Sequence, residues 1–174
     1  MKKTILMMTM MVTVMAASGQ ETKSSGSALD KLSFEVKSLY GVKQHGMTPM
    51  NLDVHLGFEF APRWQLVAAA EACRTLMEGD GNRSFAKDVA LGGGLAYVWE
   101  EGKNNRFDLR LQVLNTIGSP DWSHTTYDIG TNWYGKSSQR RIKPLIGLGF
   151  RFQKSHTAGI RDWSGFYATL GFKF

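Results

Sequence analysis

The stretch GFYATLGFKF (Gly165–Phe174) alternates without a break. Phe166, Ala168, Leu170, Phe172 and Phe174 are apolar, while Gly165, Tyr167, Thr169, Gly171 and Lys173 stand between them. A period of two is the period of a β-strand, because successive side chains leave opposite faces of the pleat. Each face of this strand therefore meets a different environment. Which environment takes which face decides the fold.

The same period recurs upstream. NLDVHLGFEF (Asn51–Phe60) sets Leu52, Val54, Leu56, Phe58 and Phe60 against Asp53, His55, Gly57 and Glu59. RFDLRLQV (Arg106–Val113) and IKPLIGLGFRF (Ile142–Phe152) repeat it, with Pro144 tolerable near the start of its run. Carried along the chain, the pattern predicts strands at about 32–42, 50–61, 64–76, 85–99, 106–117, 125–134, 141–153 and 163–174. The sixth, within DWSHTTYDIGTNWYG, admits two registers. Short turns follow the even strands and longer ones, near 43–49, 77–84, 118–124 and 154–162, follow the odd ones. The expected fold is all-β, an eight-stranded antiparallel up-and-down transmembrane β-barrel spanning 32–174.

Three features point the apolar face outward. Gly57, Gly92, Gly94, Gly147, Gly149 and Gly171 share a face with Glu35, Asp53, Glu71, Asp88, Asp108, Arg110, Arg151 and Lys173. The interior of an eight-stranded barrel is only just wide enough for side chains, so small residues belong there. The aromatics gather at strand ends. One end collects Phe34, Phe60, Trp64, Trp99, Phe107, Trp133 and Phe174, and the other Tyr40, Phe85, Tyr127, Phe152 and Phe166. Two such girdles flanking an aliphatic band describe a bilayer-spanning surface. The third feature is MKKTILMMTMMVTVMAASGQ, two lysines, an apolar stretch and small residues, which reads as a signal peptide over 1–19. Residues 20–31 are expected to form a flexible periplasmic lead-in. Only Arg74 and Lys87 break the apolar set, both toward the long-loop end, where a lipid-facing cation costs little. The competing arrangement is a soluble periplasmic ligand-binding barrel with the faces exchanged.

Composition excludes other classes. The net charge of +6 is scattered rather than clustered, so nucleic acid is not an expected partner. The single cysteine, Cys73, cannot close an internal disulfide.

Alternate apolar residues ending on a C-terminal Phe resemble the terminal strand of bacterial outer-membrane proteins. With leader, strand number and final residue taken together, the chain is similar to the small eight-stranded outer-membrane proteins of the outer-membrane protein A and X type. The resemblance implies an outer-membrane location. It also implies that Phe166, Ala168, Leu170, Phe172 and Phe174 form the signature read by the barrel-assembly machinery. Outer-membrane lipid and lipopolysaccharide are then the surrounding partners. No peptidoglycan-binding domain is expected after Phe174, nor a wall-tethering role.

The inward polar set is Asp53, His55, Glu59, Glu71, Asp88, Asp108, Arg110, Lys143, Arg151 and Lys173, joined by Glu35 and Lys37. Buried charges must be paired, so these are expected to plug the lumen rather than line a wide pore. His55 is expected to be satisfied in the lumen beside Asp53. His45, His124 and His156 are expected in solvent, in or near the outer loops. No histidine lies at ligand spacing from another histidine or from Cys73, so neither a metal site nor a cofactor is expected. FQKSHTAGI (Phe152–Ile160) faintly resembles the active-site segment of outer-membrane lipid A deacylases. Lys154 and His156 occupy the positions of that family's His and Ser, and no carboxylate stands near Ala168, so no enzyme is expected. ALGGGLAYV (Ala90–Val98) continues as strand and is not a phosphate loop. Trp122 and Trp163 are candidates either for contact with lipopolysaccharide or a partner, or for anchoring the barrel rim. The expected role is structural or surface-interacting, with a lipid-modifying enzyme and a small channel as competing classes.

Overall fold

A computed structural model describes residues 31–79, 82–102, 104–135 and 142–174. The expected signal peptide and all but the last residue of the lead-in lie outside the described residues. Eight strands follow in order: β1 (Leu32–Gly41), β2 (Met47–Ala61), β3 (Trp64–Gly79), β4 (Asn82–Glu101), β5 (Asn105–Ile117), β6 (His124–Gly135), β7 (Lys143–Ser155) and β8 (Trp163–Lys173).

Each strand pairs antiparallel with its neighbours in sequence, and β1 pairs with β8 from Glu35↔Lys173 to Gly41↔Tyr167. The sheet is a closed barrel, so no strand has a free edge. Even the last residue is tied in, since the Phe174 amide donates to the Phe34 carbonyl at 2.8 Å. Closure matters because backbone N–H and C=O groups in hydrocarbon have no water to bond.

The faces are assigned as the alternation predicts. Leu56, Leu111 and Leu148 point outward with 44 %, 54 % and 62 % of their surface exposed. Phe166, Leu170, Phe172 and Phe174 of the terminal segment are exposed beside them. Glu35, Asp53, Glu71, Asp108, Arg110 and Arg151 are buried in the middle. A band of exposed leucine, isoleucine, valine and phenylalanine around a charged interior inverts the order of a water-soluble domain. Only a hydrocarbon surround makes that order stable, and the barrel is a transmembrane one. Aromatic rings pair at both ends: Trp64–Tyr97, Trp99–Phe107 and Phe34–Phe174 at the short-turn end, Tyr127–Phe152 and Phe150–Phe166 toward the other.

Glycines let the wall curve where β4 meets β5. A Cβ at Gly92 would stand 2.0 Å from the Val113 carbonyl oxygen, and one at Gly94 would stand 1.9 Å from that of Leu111. The strands approach too closely there for any side chain.

Two of the four expected outer loops are shorter than the sequence suggests. The segment expected at 43–49 is a tight turn, because His45 (φ 51°) and Gly46 (φ 75°) both take left-handed conformations between the bridged Gln44 and Met47. The described residues of the segment expected at 77–84 are strand, since β3–β4 pairing runs out to Gly79↔Asn82. At 20 residues β4 is about twice the length needed to span a bilayer, so this hairpin stands beyond the hydrocarbon. Lys43 and Arg83 both meet Glu78 on it, the latter at 2.9 Å.

Candidate functional site

The inward residues stack in layers along the barrel. At the short-turn end, β1, β5, β6 and β8 converge on Arg110. Its guanidinium holds Glu35 through both terminal nitrogens at 2.8 Å. It also donates to Asp108 at 2.9 Å and to His55 Nδ1 at 3.0 Å. Tyr134 donates to Asp108 at 2.7 Å, and Asn132 donates to the same carboxylate at 3.0 Å. Lys173 reaches Glu35 at 3.1 Å and sits over the Tyr134 ring. A planar guanidinium with five fixed donors suits such a junction better than an ammonium would.

A second layer centres on Arg151 of β7. Its Nε donates to Asp128 at 2.7 Å and its Nη1 bonds Glu71. Glu71 also accepts from Asn51. Tyr167 donates to the other Asp128 oxygen at 2.7 Å and lies 5.3 Å below the Arg151 guanidinium. The Tyr167 ring needs two glycines beneath it. A Cβ at Gly149 would stand 2.4 Å from its Cζ and Oη, and one at Gly130 would stand 2.5 Å from its Oη. Lys37 and Asp53 form a looser pair at 3.9 Å.

The mouth at the end opposite the termini is shut by an apolar cap. Trp122, which precedes β6, and Trp163, which opens β8, are both 0 % exposed and cluster with Met47 and Ala86, with Met77 and Ile160 against them. The Trp122 indole donates to Ser155 Oγ at 3.0 Å. Both expectations for these tryptophans are corrected: neither faces a partner, and neither sits at the lipid rim. Each fills the barrel mouth, where a large apolar ring excludes water from the charges below.

Of the expected lumen residues, Asp53, His55, Glu71, Asp88, Asp108, Arg110, Arg151 and Lys173 are buried inside. Glu59 and Lys143 are only half-buried, near the short-turn end of their strands. Asp128, Tyr134 and Tyr167 complete the network and were not foreseen. Asp128 and Tyr134 belong to β6, whose two registers read equally well in sequence. In the sequence Tyr167 is marked only as a spacer between the apolar residues of the terminal strand. His124 is also corrected: it is buried at 1 % exposure under the cap, not solvated, and it lies beside Cys73 and Asp88. His45 and His156 are exposed as expected.

The deacylase-like segment assembles no nucleophile and base. Ser155 Oγ donates to the Thr157 carbonyl at 3.3 Å, and His156 Nε2 meets Thr125 Oγ1 at 2.9 Å. The outer wall carries a groove of about 690 Å³ along Tyr40, Leu52, Ala72 and Leu170, where small side chains leave room against bulkier neighbours.

No protein family and no curated protein matches the sequence. Among solved structures, the outer membrane channel DcaP of Acinetobacter baumannii is similar at 12 % identity and a TM-score of 0.38. The match covers 86 % of this chain and 48 % of that one, so this chain spans about half the length of the channel it matches.

Proposed function

We propose that the chain is a bacterial outer-membrane β-barrel protein of the small eight-stranded type, with a plugged lumen and a structural or surface-interacting role in the cell envelope. The observation that carries this reading is the inverted burial: aliphatic and aromatic side chains outside, ion pairs inside. The leader-like residues 1–19 and the terminal signature Phe166–Phe174 support export and recognition by the assembly machinery. The termini then lie in the periplasm and the tryptophan-capped end at the cell surface.

That end carries exposed Lys43, Arg74, Arg83, Lys87, Lys154 and Arg161. Cations at headgroup depth suit the phosphates of lipopolysaccharide, and lipid-facing Arg or Lys costs only about 0–1 kcal/mol near the interface. The packed guanidinium layers and the cap argue against a conducting pore, since eight strands leave an interior that side chains fill. The absence of a nucleophile–base pair around Ser155 and His156 gives the enzymatic alternative no support.

The test is cell fractionation with gel mobility before and after boiling. The protein is expected to pellet with outer membranes and to change mobility on boiling. Recovery in the soluble periplasm without detergent overturns the reading in favour of a ligand-binding barrel.

A further inference from the structure

Three strands bring together side chains that the sequence keeps far apart. Cys73 of β3 lies directly opposite Asp88 of β4, and His124 of β6 closes on them from across the lumen. One sulphur, one carboxylate oxygen and one ring nitrogen from these residues all lie within 4.8 Å of one another. All three residues are buried, at 3 %, 7 % and 1 % exposure. We propose that they form a site for a single divalent transition-metal ion of the zinc class, sealed in the lumen beneath the tryptophan cap.

The first support is Asp88 itself. Neither of its carboxylate oxygens has a hydrogen-bond partner among the described N–H and O–H groups, although both are buried. The donor beside it is the weak Cys73 thiol. A buried carboxylate without strong donors is costly, and a bound cation removes that cost.

The second support is charge. Among the described residues, the buried side chains include six carboxylates, those of Glu35, Asp53, Glu71, Asp88, Asp108 and Asp128. The buried cationic side chains are four: Lys37, Arg110, Arg151 and Lys173. Arg110 and Arg151 are committed to other acids in the two layers below. A divalent ion held by the Asp88 carboxylate and a Cys73 thiolate makes a neutral unit, with the thiol proton released on binding.

The donor set gives the metal class. Thiolate, imidazole and carboxylate together suit zinc, and hard cations such as magnesium and calcium prefer all-oxygen cages. Zinc bonds of about 2.0–2.3 Å place tetrahedral ligand atoms roughly 3.3–3.8 Å apart, so these three donors must close in by up to about 1.5 Å. The His124 ring is already oriented by two neighbours. The Trp122 carbonyl lies 3.1 Å from Nδ1 and the Gln153 amide nitrogen 2.9 Å from Nε2. The nitrogen that takes the ion gives up one partner, and the other partner holds the ring, as outer-sphere groups do in metal sites. Gln153 Oε1 is buried and without a hydrogen-bond partner, and its amide nitrogen already touches the His124 ring, which makes it a candidate for a fourth ligand. The inference is independent of the envelope role, since it needs only the folded barrel.

The experiment uses the full folded protein in detergent, stripped with chelator and then offered cobalt(II) as a spectroscopic probe, both during and after refolding. Expected are one equivalent of bound cobalt, a thiolate-to-cobalt charge-transfer band, and displacement of that band by zinc. Cys73→Ser is expected to abolish the band, and Asp88→Asn to weaken uptake at least tenfold, with boiling-dependent mobility reporting that each variant folds. Should a variant fail to fold, X-ray absorption of the zinc-loaded wild-type protein decides. It is expected to show one sulphur neighbour at about 2.3 Å and nitrogen or oxygen neighbours at about 2.0 Å. Negligible uptake under both loading regimes overturns the proposal. So does uptake unchanged in the folded variants, or a zinc shell without sulphur.

Discussion

Arg110 shows how much a single side chain carries. It answers Glu35 and Asp108 at once and donates to His55, all of them buried. Arg110→Ala leaves two carboxylates without their main partner, and breaking a buried pair from one side costs about 3–5 kcal/mol. Lys43→Ala removes an exposed partner of Glu78 instead, and solvent screening leaves an exposed pair worth far less than a buried one. Urea unfolding of both variants in the same detergent is expected to separate them in that order. Gly149→Val gives a second test at this scale. Its side chain must enter the space of the Tyr167 ring, whose Oη holds Asp128. Overpacking of this kind costs about 1–3 kcal/mol, and the midpoint is expected to fall accordingly. The residue-level site was legible in part. Charges on the glycine-bearing face marked Asp53, Arg110 and Arg151, because burial forces such groups into pairs. The same face marked Asp88 as inward, but nothing in the sequence grouped it with Cys73 and His124. Their proximity is made by three strands and a barrel diameter, not by spacing along the chain.

Strand by strand, the period of two located every element, since alternation survives wherever the two faces differ. It failed where both faces are polar. In β6, Thr125, Thr126, Thr131 and Asn132 distribute hydroxyls and amides to both sides, so the register that buries Asp128 could not be chosen. It also stops short at the ends of β2, β3 and β4 that lie away from the termini. There the wall stands in water, both faces tolerate polar residues, and hairpin pairing continues through segments that read as loops. The membrane-spanning middle of each strand gives a quantitative expectation. Leu148→Arg sets a cation against the acyl chains and is expected to cost about 2–4 kcal/mol, whereas Arg74→Leu near the rim changes stability by about 0–1 kcal/mol. Folding equilibria in lipid vesicles measure both.

At the scale of the whole molecule, the barrel is a charged rod inside a greasy sleeve, stopped at one end by tryptophan. Two guanidinium layers and the cap of Trp122 and Trp163 lie in series along the lumen. Steady ionic current through the reconstituted protein in a planar bilayer is therefore expected to be absent, and open-channel steps would show that the plug moves. The central claim is that the aliphatic face meets hydrocarbon. Spin labels placed by Leu56→Cys, Leu111→Cys and Leu148→Cys in a Cys73→Ser background test it most directly in reconstituted vesicles. The account predicts strong relaxation by membrane-dissolved oxygen and weak relaxation by a water-soluble nickel chelate at all three positions. Strong nickel and weak oxygen relaxation there would contradict it.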